Sequence, residues 1–247
     1  MIATLVFALG LCLGSFANVC IYRLPRHESI ARPRSHCTNC GRTLAPGDLV
    51  PVVSFALLRG RCRYCGAPIA PRYPLVELLA GGLFLAAYVL LGLTSGLVAA
   101  WVTIFVGIVA FFTDIDSRII PNALTVPAII AGLALAAATG RLASSLLGLA
   151  VCGGGFLIIG LIGAGKLGGG DIKLAAAIGA ILGLKAGAAA VLAGVIAGAL
   201  IGIALIAFRR ATLKSYIPFA PPLTVAAVVV ALTWPQLEPA LRAYLGW

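Results

Sequence analysis

Four cysteines near the amino-terminal end are arranged as two Cys-x-x-Cys pairs, Cys37 with Cys40 and Cys62 with Cys65, and 21 residues separate the pairs. A glycine follows each pair, and the flanking turns are rich in arginine. Four thiolates at this spacing can coordinate one Zn²⁺ tetrahedrally, with Zn–S bonds of about 2.3 Å. We expect a structural zinc site here. The alternatives are disulfides, a redox-active pair or metal-free thiols.

The second candidate site consists of carboxylates, which are scarce in this chain. Only seven residues are acidic, and three of these lie in two short segments between apolar runs: Asp114, Asp116 and Asp171. If Asp114 and Asp171 meet, the two carboxyl groups share a proton. The ionised member can then activate a water while the protonated member donates to a scissile carbonyl. This is the chemistry of aspartyl proteolysis, without a metal or a covalent intermediate.

The residues around the acids permit other interpretations. Gly168 and Gly170 favour a loop whose backbone lies close to a substrate strand. Asp116 follows Asp114 by two residues, so on a helix it faces another direction and supports or orients the pair. The same acids could instead carry protons or cations through a transporter. They could also pair with Arg118 or Lys173 only to neutralise charge, and the residues alone leave these options open.

The composition shows whether the cysteines and acids lie in a soluble protein or in a membrane protein. Of the 247 residues, 62% are hydrophobic and 10% are charged, and the mean hydropathy is +1.11. These values exclude an ordinary soluble globule and a disordered chain. We expect an all-α polytopic membrane protein with about eight transmembrane helices and a small cytoplasmic zinc-ribbon-like insertion. The predicted spans are 2–21, 74–93, 97–113, 122–140, 143–164, 171–184, 186–208 and 217–234.

Three domains follow from this pattern. Residues 1–22 form a first transmembrane helix, 23–72 a cytoplasmic four-cysteine domain, and 73–247 a seven-helix membrane domain. The charges that follow the first apolar run distinguish it from a signal peptide, whose charges precede the apolar region. The segment beginning at Asp171 is short and rich in glycine, which suits a position inside the bundle.

The net charge of +11 is best explained by topology. If the amino terminus faces outward, fifteen of the eighteen lysines and arginines fall on the cytoplasmic side, as the positive-inside rule requires. The exceptions are Arg141, Lys185 and Arg242. No groove-reading motif accompanies the arginines, so we expect membrane lipid around the protein and no nucleic-acid partner.

Several segments together resemble the bacterial type IV prepilin peptidases, which are bifunctional leader peptidases and N-methyltransferases of the GxGD aspartyl protease class. The resemblance places Asp114 and Asp171 at the family's catalytic positions, with Gly168–Asp171 as the GxGD motif. Two departures are Asn122, where many members carry aspartate, and the segment 165–167. The other similar segments are 14–25, 34–41, 58–66, 72–79 and 217–221.

The resemblance implies an inner-membrane endopeptidase. Its substrates would be prepilins or pseudopilins, cut after a glycine to remove a basic leader. It also implies that the new amino terminus is methylated from S-adenosylmethionine. No glycine-rich nucleotide loop is present, so the methyl-donor site is not located by motif. Glu77 is a candidate for assisting methylation, although we expect it to cap a helix or pair with Arg72. The competing functions are a proton- or cation-coupled transporter and a scaffold that recruits a partner through its zinc ribbon.

Overall fold

The fold, taken from a computed structural model that describes residues 1–162, 168–208 and 218–245, is built from helices. In the described ranges the only β-structure is two isolated bridges, His36 with Thr43 and Arg61 with Pro68. Single-turn 3₁₀ helices cover Leu24–Arg26 and Pro46–Leu49. The α-helices in chain order are α1 Ile2–Arg23, α2 Val53–Leu57, α3 Arg72–Leu91, α4 Ser95–Ser117, α5 Asn122–Ala138, α6 Leu142–Ile162, α7 Gly169–Leu182, α8 Leu184–Ala207 and α9 Ala220–Leu245.

Six of these helices are long and apolar enough to cross a bilayer: α1, α3, α4, α6, α8 and α9. Helix α5 is a largely apolar helix of 17 residues, just below the usual spanning length. Helix α7 has 14 residues, roughly 21 Å at 1.5 Å per residue, against a hydrocarbon core of about 30 Å. The prediction of an all-α polytopic membrane protein is therefore confirmed.

The chain divides into two compact units, Met1–Val89 and Leu90–Trp247. In the first unit α1 and α3 pack through small residues. A Cβ on Gly10 would lie 2.7 Å from the Cα of Gly81, and a Cβ on Gly14 would lie 2.7 Å from the Cα of Glu77. Asn18 also donates to the carbonyl of Tyr73 across 3.0 Å. The boundaries proposed above for the three domains stay a prediction.

In the second unit α7 is the central helix. It contacts each of the other five helices of the unit, from α4 to α9, and most of its side chains are buried. Glycines make this close packing possible: Gly148 faces Gly179 backbone to backbone, and a Cβ on Gly132 would lie 2.9 Å from the backbone of Ala180. A short helix surrounded by others matches the expected position of the Asp171 segment inside the bundle.

The carboxyl-terminal helix departs from the prediction. We expected the last span to end at 234, before Pro235, but α9 continues to Leu245 with Pro235 and Pro239 inside it. Within the extension Arg242 donates to Glu238, one helical turn earlier, in an ion pair of 2.7 Å. Four basic residues used in the orientation argument lie outside the described residues: Lys166, Arg209, Arg210 and Lys214. The segment 165–167 and Ile217 also lie outside them.

Candidate active site and metal centre

Asp114 lies in the last turn of α4 and is 2% exposed. Its Oδ2 accepts a hydrogen bond of 2.9 Å from the backbone N–H of Ala220, the first residue of α9. The carboxylate therefore sits at the carboxyl end of its own helix, where negative charge is disfavoured, but faces the amino end of α9, where it is favoured. Arg118 closes the helix in the left-handed conformation, with φ of 55°, and interacts electrostatically with Asp114.

Asp171 is the third residue of the central helix α7, close to the helix's positive end, and is 5% exposed. Gly168 precedes the helix in an extended conformation, and its carbonyl accepts from the Asp171 N–H across 3.0 Å. The Oδ1 of Asp171 is buried and has no hydrogen-bond partner among the described residues. A buried carboxylate oxygen without a partner is costly and marks a position where a ligand or water is expected.

The two aspartates come together. The carboxylates of Asp114 and Asp171 are close enough to interact electrostatically, although 57 positions separate the residues in the sequence. The glycines before Asp171 set how closely the surrounding segments approach. A Cβ on Gly168 would lie 3.0 Å from the Oδ2 of Asp171, and one on Gly170 would lie 2.9 Å from the Cβ of Ile120. The assignment of Asp114 and Asp171 as a catalytic pair stays a prediction.

The remaining predicted site residues lie around this pair. Asp116 is exposed, whereas Asp114 two residues earlier is buried, so the two face different directions as expected. Arg118 is also exposed. The Nζ of Lys173 donates a hydrogen bond of 2.7 Å to the Oδ1 of Asn122, an uncharged acceptor. This bond ties the start of α5 to the first turns of α7.

The sequence reasoning missed two of these contacts. The Ala220 N–H was not expected at Asp114, although the segment around it had been noted within the resemblance. The Lys173–Asn122 bond was also missed. The available signal for the second contact was Asn122 itself, a polar residue noted above as a departure from the resemblance.

The four cysteines converge into one cluster. The sulfurs of Cys37, Cys40, Cys62 and Cys65 all lie within 4.8 Å of one another, and those of Cys37 and Cys65 are 3.9 Å apart. A tetrahedral zinc with four bonds of about 2.3 Å separates its sulfur ligands by about 3.8 Å. The cluster could therefore hold a metal ion of this kind without a large rearrangement.

The two cysteine pairs have the same backbone geometry. In the first, the Cys37 N–H donates to Arg42 and the Gly41 N–H donates back to Cys37. In the second, Cys62 donates to Ala67 and Gly66 donates back to Cys62. Both glycines have positive φ, 68° and 71°. Glycine adopts this conformation readily, which explains why one follows each pair.

Hydrogen bonds to sulfur stabilise a thiolate in this cluster. The backbone N–H of Ala67 and the side chain of Asn39 lower the pKa of the Cys65 thiol to about 6. The Asn39 Nδ2 is 3.7 Å from that sulfur. A thiolate is the form that binds metal, so these donors favour metal binding.

An ion pair supports the segment between the two cysteine pairs. Asp48 accepts from the Nε of Arg63 across 2.7 Å, from the N–H of Ala45 across 3.2 Å and from the hydroxyl of Tyr64 across 3.3 Å. Partial desolvation raises the pKa of Asp48, but the Arg63 guanidinium and the Ala45 N–H outweigh it and hold that pKa below its usual value.

Comparison with known proteins gives a consistent result along the chain. The family described as "Bacterial Peptidase A24 N-terminal domain" matches residues 8–91, and the "Type IV leader peptidase family" matches residues 101–203. The chain is similar to the "Prepilin leader peptidase/N-methyltransferase" of Myxococcus xanthus, at 41% identity over 98% of this chain and 74% of the relative.

Two further relatives carry the same name. The protein of Bacillus subtilis is 39% identical over 93% of this chain and 93% of its own length. That of Aeromonas hydrophila is 36% identical over 94% of this chain and 90% of its own length. No solved structure gives a significant match.

Proposed function

Since this chain belongs to the type IV leader peptidase family, we propose that it cleaves the leader from prepilins at a pair of membrane-embedded aspartates and then methylates the new amino terminus. The protein is a membrane protease that also has methyltransferase activity. The finer assignment of residues is ours. It depends on two observations: two buried aspartates from separate helices interact electrostatically, and within the part of the chain that the structure describes the Oδ1 of Asp171 has no hydrogen-bond partner.

The peptidase mechanism follows from this geometry. Asp114 and Asp171 share a proton, because two carboxylates in contact do not both ionise cheaply. The Ala220 N–H fixes the orientation of Asp114 through its Oδ2. The free Oδ1 of Asp171 contacts the attacking water or the scissile carbonyl. The ionised carboxyl takes a proton from the attacking water, and the protonated carboxyl donates its proton to the carbonyl oxygen, which gives a tetrahedral gem-diol. As the gem-diol collapses, the first carboxyl passes its newly acquired proton to the leaving amine, and the second takes a proton back from a gem-diol hydroxyl.

The supporting residues hold these two groups in place. Gly168 leaves room for the Asp171 carboxylate, and Gly170 lets the start of α7 pack against Ile120. Lys173 ties α7 to α5 through Asn122. Arg118 ends α4 directly after the acids and adds a positive charge near Asp114. Asp116, being exposed, supports the site from its edge.

Substitution of each aspartate by asparagine tests the catalytic pair. Asp114→Asn and Asp171→Asn keep the side-chain shape but remove the shared proton, so each should abolish cleavage of a co-expressed prepilin. Asp116→Asn is the matched control, two residues away on the exposed side, and should retain most of the activity. The product's mass reports the cut site, expected after a glycine, and any added methyl group. Retained cleavage in either single variant would refute the pair, and acid-dependent ion flux without cleavage would favour a transporter.

The four cysteines are proposed to hold a structural zinc ion. Cys37, Cys40, Cys62 and Cys65 offer four sulfur ligands from two matched turns, which is a donor set that zinc prefers. The bound ion would fold and orient a segment that has little apolar core of its own. It would take no part in the peptidase reaction. Elemental analysis of the purified protein should find one zinc per chain.

The protein is proposed to lie in the inner membrane with its amino terminus outside and the cysteine segment in the cytoplasm. The distribution of arginine supports this orientation. The basic leader of a prepilin would then approach from the cytoplasm, while membrane lipid surrounds the helices. A cysteine introduced by Glu28→Cys, at an exposed position of this segment, should resist a membrane-impermeant thiol reagent in intact cells and react once the inner membrane is permeabilised. Labelling of that cysteine in intact cells would reverse the orientation.

A further inference from the structure

We infer that a cavity in the first compact unit binds the methyl donor, with the carboxylate of Glu77 facing its sulfonium charge; this inference depends on the methyltransferase half of the proposed function. The cavity has a volume of about 480 Å³, within the range of pockets that enclose one small organic ligand. It is lined by α1, the start of α3 and the segment between them, all within Met1–Val89.

Glu77 is the feature that gives this cavity a charge preference. Its side chain lies on the cavity wall and is 8% exposed. Its Oε2 accepts a hydrogen bond of 2.7 Å from the Val52 N–H, and Ser15 donates a second. Both donors are neutral, so neither compensates the carboxylate's negative charge. A buried carboxylate in this state favours a cation beside it.

These contacts exclude one of the two roles expected of Glu77, the capping of a helix. The residue is the sixth of α3, too far inside the helix to cap its amino end. Its hydrogen bond instead reaches to Val52, 25 positions earlier in the chain. Glu77 therefore lies in the cavity wall, where it joins α3 to the segment that carries the cysteines.

The other cavity groups suit the remaining parts of the donor. Tyr22, Phe55 and Tyr73 line the wall and provide aromatic surface, on which a nucleobase can stack and near which a sulfonium cation is favoured. Arg23 also lines the cavity and supplies positive charge for an amino-acid carboxylate. Its guanidinium is held by the carbonyls of Ser29 and Pro33, at 2.9 and 2.8 Å, so it is preorganised.

A second hollow of similar volume does not offer such groups. It is lined by the apolar residues Ile201, Ala204, Leu205 and Phe208 of the α8 end. An apolar surface of this kind has no hydrogen-bonding side chain for a ligand that carries a sulfonium, an ammonium and a carboxylate. The comparison favours the cavity of the first unit.

The transfer step balances with Glu77 as the proton acceptor. The substrate's terminal ammonium gives one proton to the Glu77 carboxylate and becomes a neutral amine. When bound, S-adenosylmethionine supplies a methyl group on a positively charged sulfur. The amine lone pair forms the new N–C bond while the C–S bond breaks, and its electron pair stays on sulfur. The products are a methylammonium, a neutral thioether and a protonated Glu77, which returns its proton to water.

Direct binding measurements test the site independently of turnover. The full-length protein in detergent is titrated with S-adenosylmethionine and, separately, with S-adenosylhomocysteine, whose sulfur is uncharged. We expect the wild type to prefer the charged donor. Glu77→Gln, which retains the acceptor for Val52, should weaken binding of the charged donor by about tenfold, or about 1.4 kcal/mol. It should change binding of the uncharged product by less than about threefold.

Two controls separate the possible failures. Glu28→Gln removes an exposed acid of the same unit and should bind both ligands as the wild type does. Asp171→Asn should abolish prepilin cleavage while leaving donor binding unchanged. If Glu77→Gln binds the charged donor like the wild type, the site assignment is wrong while the peptidase assignment stands. If the donor binds as expected but no prepilin is cleaved or methylated by the wild type, the proposed function fails instead.

Photolabelling covers the case in which Glu77→Gln does not fold. Ultraviolet irradiation of the wild type with methyl-labelled S-adenosylmethionine should attach label to peptides between residues 15 and 77. Label confined to Leu90–Trp247 would overturn the inference. Label displaced by a prepilin leader peptide, with no effect of S-adenosylhomocysteine, would also overturn it and indicate that the cavity binds the leader instead.

Discussion

Gly170 offers the sharpest test of how the catalytic pair is positioned. It is the second residue of α7, directly before Asp171, and it packs against the segment that joins α4 to α5. A Cβ at this position would lie 2.9 Å from the Cβ of Ile120, 3.3 Å from its carbonyl oxygen and 3.4 Å from its nitrogen. Two of these three atoms belong to the backbone, so no side-chain rotation relieves the contact.

The size of the effect of Gly170→Ala follows from these distances. Carbon atoms that are not bonded approach to about 3.5 Å, so the start of α7 must move by roughly 0.5 Å, carrying Asp171 with it. Overpacking of this kind costs about 1–3 kcal/mol of stability. Misplacement of a reacting group by 1 Å costs on the order of 100-fold in rate. We therefore expect a loss of about tenfold or more in the cleavage rate at saturating substrate.

Gly169→Ala is the matched control, because a Cβ on the neighbouring glycine would lie more than 4 Å from every atom of the described residues. Alanine at this exposed first position of the helix should retain the wild-type rate and slightly stabilise α7. The assay is single-turnover cleavage of a purified prepilin, followed by mass spectrometry, with thermal unfolding measured on the same samples. Equal rates for the two variants would refute the packing argument. An equal loss in both would show that the loop is limited by contact with the substrate, not by contact with Ile120.

Three further predictions concern the groups around the two sites. Removing zinc with a chelator, or replacing Cys40 by serine, should lower the midpoint of thermal unfolding by at least about 5 °C, whereas Cys12→Ser should leave zinc content and stability unchanged. Asn122→Leu removes the acceptor for Lys173 and should lower stability by about 1 kcal/mol and slow cleavage. Asn122→Asp keeps an acceptor and should retain both the stability and the cleavage rate. A wild-type rate in Asn122→Leu would show that the bond does not position α7. The pKa of Asp48 is held below its usual value, so its ion pair with Arg63 stabilises the fold above the usual aspartate pKa of about 3.9 and is lost as the pH falls through the lower folded-state pKa. The stability difference between wild type and Asp48→Asn, followed by thermal unfolding in acid, should shrink in that range, and a constant difference would contradict the assignment.

The transporter and scaffold alternatives make different predictions from the peptidase assignment. A transporter would need its acids to face a path across the membrane, and it would lose ion flux on Asp171→Asn. A scaffold would tolerate both aspartate substitutions but fail when the cysteines are replaced. The family relationship supports neither alternative.

The helices and the four-cysteine cluster could be predicted from local information. Apolar runs of about 20 residues identify membrane helices, because the bilayer core holds no water and the polar backbone must satisfy its hydrogen bonds within the helix. The cysteine pairs were equally readable, since spacing within a short turn determines which sulfurs can share a metal. The end of α9 was misjudged, because Pro235 and Pro239 normally end a helix, whereas here the helix continues past both and the Arg242–Glu238 pair spans Pro239.

The sequence by itself determined that the chain lies in a membrane, where most of its helices run, which four cysteines are spaced to share a metal and which few acids could do chemistry. Only the tertiary structure decided that Asp114 and Asp171 interact, that the Ala220 N–H orients Asp114, and that Glu77 turns towards Val52 and a cavity. The physical reason is that these contacts join residues 25 to 106 positions apart. Their geometry depends on which helix faces pack together, and glycines such as Gly170 and Gly179 set that packing by allowing backbones to approach.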